Sequence, residues 1–227
     1  MRFVTLFTLL MSAVGANRAA LEQARNRQDR AALERMASES GAAAAAQPQN
    51  GALQYEAALS QSFVAEVAAE MRDRNGARAA AEAGIKAAER AVSLDRNRAE
   101  YHRILGTLCG QAIPANVLAA MKYGRCALDS LNKAIELDPK SAAAYLGRGV
   151  GYSYLPSAFG GGVDAALADI DKALQLDPKS ADAWLWRGIV LRKANRNAEA
   201  RQALGKSVQL NPERIWAKQQ LDKTPVK

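Results

Sequence analysis

The stretch Ala134-Ile-Glu-Leu137-Asp138-Pro139 recurs as Ala173-Leu-Gln-Leu176-Asp177-Pro178 and again as Ser207-Val-Gln-Leu210-Asn211-Pro212. The three prolines are 39 and 34 residues apart. A helical pattern that returns with a period near 34 residues is typical of helix-hairpin solenoids, in which each repeat packs against its neighbours. The repeated stretch therefore predicts an all-α, right-handed superhelix of stacked helical hairpins.

Small residues occupy fixed places inside each repeat. If the repeated proline is position 32, then glycine stands at position 8, alanine at position 20, and leucine or isoleucine at position 24. These residues are Gly106, Gly149 and Gly188; Ala127, Ala166 and Ala200; and Leu131, Ile170 and Leu204. Because glycine and alanine have little or no side chain, two helices can approach closely where these residues face each other. The pattern therefore predicts that the two helices of each hairpin cross at positions 8 and 20.

This combination of spacings resembles the tetratricopeptide repeat (TPR) family. The resemblance covers the three repeats that end at Pro139, Pro178 and Pro212. It implies a solenoid of about three to four repeats, closed by a C-terminal capping helix that covers the apolar face of the last repeat. It also implies a concave groove that binds a protein or peptide. Ser141 and Ser180 follow two of the prolines and are predicted to cap the next helices.

The repeats divide the chain into successive segments. The expected segments are a signal peptide at 1–16, a helical arm and linker at 17–50, a solenoid at 51–222 and a fraying tail at 223–227. Within the solenoid, we expect repeats at 51–98, 99–141, 142–180 and 181–214, followed by a capping helix at 213–222. The repeat at 51–98 lacks the proline, and we expect helices near 51–73 and 77–93 with a turn at 74–76. Residues 17–38 are interpreted as a half-matched helix pair or a single helix, followed by a linker that starts at Glu39. The alternative is that residues 17–50 form a partly disordered arm.

The first residues have the order of a cleavable signal peptide. Arg2 is followed by an apolar run at 3–11, and small residues at Val14 and Ala16 suit cleavage after Ala16. The alternative is a buried N-terminal helix. Because no cysteine follows the apolar run, a lipid-anchored form is disfavoured. We expect export, most simply to a bacterial periplasm, without a transmembrane helix in the mature chain.

The charge distribution adds one candidate surface. The formal net charge is +8, and basic residues crowd the last repeat at Arg187, Arg192, Lys193, Arg196 and Arg201. Such a patch suits acidic proteins or anionic lipid head groups, or is simply a solvated helix face. Export argues against nucleic acid as a partner.

The sequence offers few residues that could form a catalytic or metal site. The chain has one histidine, His102, so a histidine metal cluster is excluded and a nucleophile–histidine pair would have to use this residue. His102 falls at a packing position of its repeat. We therefore predict a protein that is not an enzyme, with no catalytic residues, no metal site and no cofactor.

The two cysteines, Cys109 and Cys126, fall in one hairpin near the place where its helices face each other. In an exported protein an even number of cysteines suggests a disulfide. A bridge here would hold an unusually long connection between the two helices. The alternative is a pair of small buried thiols.

The concave groove is the first predicted binding surface. The family's groove-lining positions give an apolar strip with basic flanks, formed by Arg103, Leu146, Val150, Leu185, Trp186, Ile189 and Arg192. Such a strip suits an extended or helical peptide. The alternative is that the chain's own capping helix or N-terminal arm fills the groove.

Two insertions between helices form the second predicted surface. They lie at 112–120 and 155–162 in consecutive repeats, so stacking should bring them to one edge, and loops of this kind often bind partners. The residues of this edge are Pro114, Pro156, Phe159, Gly160 and Gly161. The Leu155-Pro to Phe159-Gly-Gly stretch is similar to a loop in the periplasmic T-component of TRAP transporters, which implies an accessory role beside a membrane transporter.

These observations favour a non-catalytic periplasmic adaptor that binds a protein through its groove or its insertion edge. Two alternatives come from other classes. One is an accessory component of solute or lipid transport with a small-molecule cavity, peripherally associated with a membrane complex. The other is a self-assembling structural protein.

Overall fold

The computed structural model describes residues 18–113 and 117–226, so the predicted signal peptide at 1–16 and Pro114 lie outside the described residues. Over these ranges the regular structure is helical, which confirms the all-α prediction. The helices are α1 (18–26), α2 (Arg30–Ala46), α3 (Gly51–Glu70), α4 (Arg74–Leu94), α5 (Ala99–Ala112), α6 (Val117–Leu137), α7 (Ala142–Tyr152), α8 (Val163–Leu176), α9 (Ala181–Lys193), α10 (Asn197–Leu210) and α11 (Ile215–Asp222). Among the described residues, no helix has the length and apolar character needed to span a bilayer.

Consecutive helices pair into hairpins, and each hairpin stacks on the next. The pairs are α3 with α4, α5 with α6, α7 with α8, and α9 with α10, and α11 packs on α10 and α9 as a cap. Helix α2 packs on α3 in the same manner. The architecture is therefore the predicted solenoid, and each repeat buries its apolar face against its neighbours.

The repeated stretch forms the same turn each time. A side-chain oxygen of the Asp or Asn before the proline accepts a hydrogen bond from the backbone N–H two residues later, which forms an Asx turn. The acceptors are Oδ1 of Asp95, Asp138, Asp177 and Asn211, and the donors are Asn97, Lys140, Lys179 and Glu213, at 3.0 to 3.2 Å. The repeat at 51–98, called the degenerate repeat because it lacks the proline, thus turns in the same way.

The two predicted serine caps are confirmed. Ser141 Oγ accepts from the backbone N–H of Ala144 at 3.3 Å, and Ser180 Oγ accepts from that of Ala183 at 3.2 Å. Each bond satisfies an N–H group that the first turn of a helix leaves without a partner. The Asx turn and the serine cap together end one helix and start the next.

The helix crossings lie where the sequence predicts them. A Cβ atom at Gly188 would lie 2.5 Å from Leu204 Cγ and 3.0 Å from the carbonyl oxygen of Ala200. At Gly106 it would lie 2.7 Å from Leu131, and at Gly149 2.9 Å from Ile170. Positions 8, 20 and 24 therefore form one contact in each repeat, and the glycine is required by the closeness of the facing helix.

Three hairpin turns share a backbone conformation that the sequence does not reveal. Gln28, Arg72 and Asn195 each have a positive φ, at 53°, 66° and 60°. In each turn, the residue after the positive-φ residue donates its backbone N–H to a carbonyl five residues back, as in the Schellman motif. Because the turn after α1 is of this kind, the 18–46 segment is a helical hairpin like those of the repeats.

Two predicted boundaries are wrong. The linker expected from Glu39 is helical, because α2 runs to Ala46 and only residues 47–50 separate it from α3. The turn of the degenerate repeat lies at 71–73 and not at 74–76. The reason is Asp73, whose side chain accepts from the N–H of Gly76 and so starts α4 earlier.

The two insertions adopt different structures. The extra residues of the 99–141 repeat lengthen α6, which starts at Val117, so most of the predicted loop at 112–120 is helix. Those of the 142–180 repeat form a loop at 153–162 that contains a short 3₁₀ turn, Ser157–Phe159. This second insertion is the loop that remains as a candidate surface.

Cys109 and Cys126 are joined by a disulfide with a Cα–Cα distance of 6.0 Å. The bond links α5 to α6, and Cys109 is fully buried within the larger apolar cluster of the molecule. It therefore fixes the hairpin whose second helix is lengthened by the first insertion.

We expect Gly188→Ala to destabilise the protein by about 1–3 kcal/mol, because the new Cβ has no room at the helix crossing. Gly205→Ala is the matched control, since Gly205 lies within α10 and a Cβ there would meet no atom within 4 Å. That substitution should stabilise by up to about 1 kcal/mol, through helix propensity. Urea unfolding followed by circular dichroism measures both, and equal effects would contradict the assigned crossing.

We expect neither cysteine to react with iodoacetamide unless a reductant is added. Reduction should lower the melting temperature by about 6–12 °C, because a bridge that closes a loop of 17 residues contributes about 3 kcal/mol. A Cys109→Ala/Cys126→Ala variant serves as the control and should not respond to reductant. Two thiols that react in the unreduced protein would exclude the bridge.

Candidate functional site

Part of the predicted groove lies inside the core. Leu185 is 1% exposed and Ile189 is also buried, and both pack with Ala217 of α11. Trp216 and Leu221 complete this cluster. Leu185 and Ile189 are therefore unavailable to a partner, because the capping helix covers them.

Arg192, predicted as the basic flank of the groove, is used by the C-terminal segment. Its guanidinium donates to Gln220 Oε1 at 2.6 Å, to the Gln220 carbonyl at 3.1 Å and to Thr224 Oγ1 at 3.3 Å. Arg201 donates to the Thr224 carbonyl at 2.7 Å. Thr224 and Gln220 are both buried, so the fraying predicted for 223–227 is wrong for Thr224.

Arg103, at the other end of the predicted strip, is held by its own repeat and by α3. Its Nε donates to both carboxylate oxygens of Glu100 at 3.0 and 2.9 Å, and its Nη2 donates to Tyr55 Oη at 3.4 Å. The Tyr55 ring stacks on Tyr101. Arg103 thus joins α5 to α3 and is not a free cation.

The N-terminal arm reaches across to the last repeat. Arg25 of α1 forms an ion pair with Asp182 in the first turn of α9, and its Nε lies 3.7 Å from Glu66 Oε1. The side chain of Arg25 is buried and its guanidinium lies 5.5 Å from the centre of the Phe63 ring. Asp182 lies three residues before Leu185 on α9, so the arm contacts the helix that was predicted to line the groove.

Arg214 makes the second contact between the two ends. Its side chain is 1% exposed and donates to Glu66 Oε1 at 2.8 Å, to both carboxylate oxygens of Glu70, and to the carbonyl oxygen of Arg25 at 3.1 Å. Gln28 donates to Glu70 at 2.9 Å and accepts from Gln219 at 3.2 Å. The C-terminal ends of α1 and α3 therefore meet the N-terminal ends of α9 and α11.

The charges of this contact shift one another. Burial raises the pKa of Glu70 to about 7, and the neighbouring Glu66 carboxylate adds to the effect, while Arg214 opposes it. Burial alone would raise the pKa of Asp182, but the charge of Arg25 outweighs it and lowers the value. Burial lowers the pKa of Arg25, yet attraction by Asp182 and Glu66 dominates and raises it. The network is thus a coupled set of ions inside the protein.

The sequence carried one signal for this contact. Arg214 stands at position 34, where Ser141 and Ser180 cap the preceding repeats, and it makes no side-chain capping bond. A residue that breaks a local rule often has a tertiary role. Of the predicted groove, Leu146, Val150 and Trp186 remain half-buried at the surface.

The basic patch of the last repeat is internally paired. Arg187 bonds to Asp171 at 2.8 Å, and Arg196 bonds to Glu199 at 2.7 and 2.6 Å. Lys193 donates to the carbonyl of Ser153 at 3.3 Å. Since Arg192 and Arg201 hold the C-terminal segment, each of the five basic side chains of the patch has a contact within the chain.

The loop at 153–162 is fixed by its own backbone. Gly162 donates to the carbonyl of Tyr152 at 2.9 Å, and Gly161 donates to that of Pro156 at 3.2 Å. Gly160 and Gly162 have φ of 82° and 97°, which favours glycine. A Cβ at Gly161 would collide with the Leu155 carbonyl. The three glycines therefore set one loop conformation.

This loop presents an aromatic tip. Phe159 is 74% exposed. Tyr154, also exposed, packs edge-on against Trp186 at 6.3 Å between ring centres, and Lys193 Nζ lies 3.9 Å from the centre of the Tyr154 ring. Phe159 and Tyr154 therefore place two exposed aromatic rings on one ordered loop.

The described residues bring together few groups for metal or acid–base chemistry. His102 Nε2 lies 2.8 Å from the carbonyl oxygen of Arg96 in the preceding turn. Over 18–113 and 117–226, no group of three or more His, Cys, Asp or Glu side chains is placed to hold a metal ion.

Comparison with known proteins shows a local family match and a similar fold. The model named "Tetratricopeptide repeat" matches residues 170–202. A search of the curated proteins found no match to this sequence. Among solved structures, the chain is similar to TTC0263, a thermophilic TPR protein of Thermus thermophilus, at 18% identity over 95% of each chain with a TM-score of 0.56.

Two further structures show weaker likeness. MamA from Desulfovibrio magneticus RS-1 is 15% identical over 88% of this chain and 96% of that chain, with a TM-score of 0.48. YrrB, described as a TPR protein with an unusual peptide-binding site, is 19% identical over 82% of each chain, with a TM-score of 0.44.

Two residues predicted to line the groove should respond differently to truncation. We expect Leu185→Ala to cost about 2–5 kcal/mol of unfolding free energy, because it leaves a cavity under α11. Val150→Ala should cost less than about 1 kcal/mol, since Val150 is only half-buried and alanine favours the helix. Urea unfolding compares them, and similar losses would contradict the burial of Leu185 by the cap.

Proposed function

We propose that this chain, which matches the tetratricopeptide-repeat model over residues 170–202, is a tetratricopeptide-repeat protein and a non-catalytic scaffold that binds a protein partner through the loop at 153–162. We place this activity in the bacterial periplasm on the strength of the signal-peptide pattern at 1–16. The observation that carries the proposal is the exposure of Phe159 on a loop whose backbone is fixed.

The physical argument rests on entropy and burial. Removing a phenylalanine side chain from water contributes about 1.5–3 kcal/mol. Binding usually loses part of such a gain to the ordering of a flexible loop. Here the loop is already ordered by the bonds to Tyr152 and Pro156, so little remains to be lost. Aromatic anchors of this kind dominate the energy of many interfaces.

The loop is favoured over the concave groove because of what remains accessible. In the groove, Leu185 and Ile189 are covered by α11, and Arg103 and Arg192 are bonded within the chain. In the loop, Pro156, Phe159 and Gly160 are all exposed. The partner is therefore expected to carry an apolar pocket that accepts one aromatic ring.

We expect Phe159→Ala to weaken partner capture by about 30-fold, as for loss of an interface anchor of about 2 kcal/mol. The tagged chain 17–227 would be cross-linked in an envelope extract of its source cell, and captured proteins quantified by mass spectrometry. Met71→Ala is the matched control, since Met71 is 53% exposed in a different hairpin turn.

A second variant tests the loop without removing the ring. In Gly161→Ala the new Cβ would collide with the Leu155 carbonyl and change the loop conformation, although the Phe159 side chain is retained. This variant should also reduce capture. If both variants capture the partner as well as the unmodified chain, the loop is not the binding surface. Recovery of the bait alone, with light scattering showing an oligomer, would favour self-assembly instead.

A further inference from the structure

The two ends of the solenoid touch through polar groups. One buried apolar cluster contains residues of helices α1 through α6, and another contains residues of α9, α10 and α11. The two clusters share no residue. The contacts that cross between the ends are ion pairs and hydrogen bonds of Arg25, Gln28 and Arg214 with their partners. Arg27 and Glu213 add an exposed pair at 3.6 Å.

These contacts join residues that are far apart in the chain. The separations are 157 residues for Arg25 with Asp182, and 144 and 148 for Arg214 with Glu70 and Glu66. A solenoid does not need such contacts, because each repeat is stabilised by its nearest neighbours. Breaking them would leave every helix hairpin and every apolar cluster intact.

The energetics place this contact near balance. Paired charges inside a protein gain Coulomb energy but lose hydration, and the two terms largely cancel. If the ends separate, Glu66, Glu70 and Asp182 regain water along with their arginine partners. Closing therefore gains little free energy, although it buries Arg214 almost completely.

We propose that Arg25 and Arg214, with Glu66, Glu70 and Asp182, form an ionic clasp that closes the concave face and opens reversibly. In the closed state Arg25 covers Asp182 at the groove, and the turn after α1 contacts the cap through Gln28 and Gln219. Opening would expose a carboxylate-lined concave face next to the half-buried strip of Leu146, Val150 and Trp186. The clasp thus controls access to a surface distinct from the loop at 153–162.

Small-angle X-ray scattering of the full mature chain, 17–227, tests this clasp. At low salt the profile should match the closed structure. Near 1 M salt the Debye length falls to about 3 Å, and the ions screen the charges that opening exposes more strongly than the buried pairs. The open state is thereby favoured, so the radius of gyration should rise reversibly while helix content by circular dichroism stays constant. Arg214→Met and Asp182→Asn should give the larger radius already at low salt.

The control is Arg18→Gln, which removes an exposed charge of the same helix α1 that pairs with Glu22 and should leave the radius unchanged. If the clasp opens as proposed, Arg214→Met should change the melting temperature by less than about 4 °C, because the two carboxylates become hydrated. A radius that is independent of salt and of both clasp variants would overturn the proposal. A fall in melting temperature above about 6 °C for Asp182→Asn would do so as well, by showing that the ends form one rigid core.

Discussion

The close crossing of two helices inside each repeat is the constraint on which the solenoid depends. At Gly106, Gly149 and Gly188 the facing helix leaves no room for a Cβ atom. The carbonyl of the alanine at position 20 and the side chain at position 24 fill that space. Because the same three positions meet in these three repeats, the two helices of each hairpin cross at the same place, although the connections between them differ. The disulfide in α5 and α6 adds a covalent link to a hairpin that already follows this geometry.

Periodic features of the fold could be predicted because they arise from local physics. The Asx turns, the serine caps and the glycine crossings each depend on residues within a single repeat. A residue that recurs at the same position of several repeats is therefore expected to have the same structural role in each. The contact between the ends has no such basis. It joins Arg214 to Glu66 and Glu70 across 148 and 144 residues, and neither acid belongs to a repeated pattern. Only the replacement of a capping serine by Arg214 marked the place.

The two insertions show how composition decides between helix and loop. Both were expected to be loops, because both add residues at the same point of the repeat. The segment that starts at Val117 is rich in good helix formers such as Leu, Ala and Met and therefore extends α6. The segment at 153–162 contains Pro156 and three consecutive glycines, which oppose a helix. Two of these glycines adopt positive φ, so the chain turns sharply and Phe159 is left outside.

Apolar contacts stabilise the packing of neighbouring hairpins in this molecule, whereas polar contacts between its two ends cover part of the concave face. Apolar contacts run between neighbouring hairpins, as in α9 to α11, where Leu185 and Ile189 lie under the cap. Polar contacts run between the ends, where their loss exposes charge and not hydrocarbon. In the proposed clasp, a change in ionic conditions acts on the shape of the concave face while the hairpins persist. The loop at 153–162 is held by backbone bonds within a single repeat, so its conformation does not depend on whether the ends are joined.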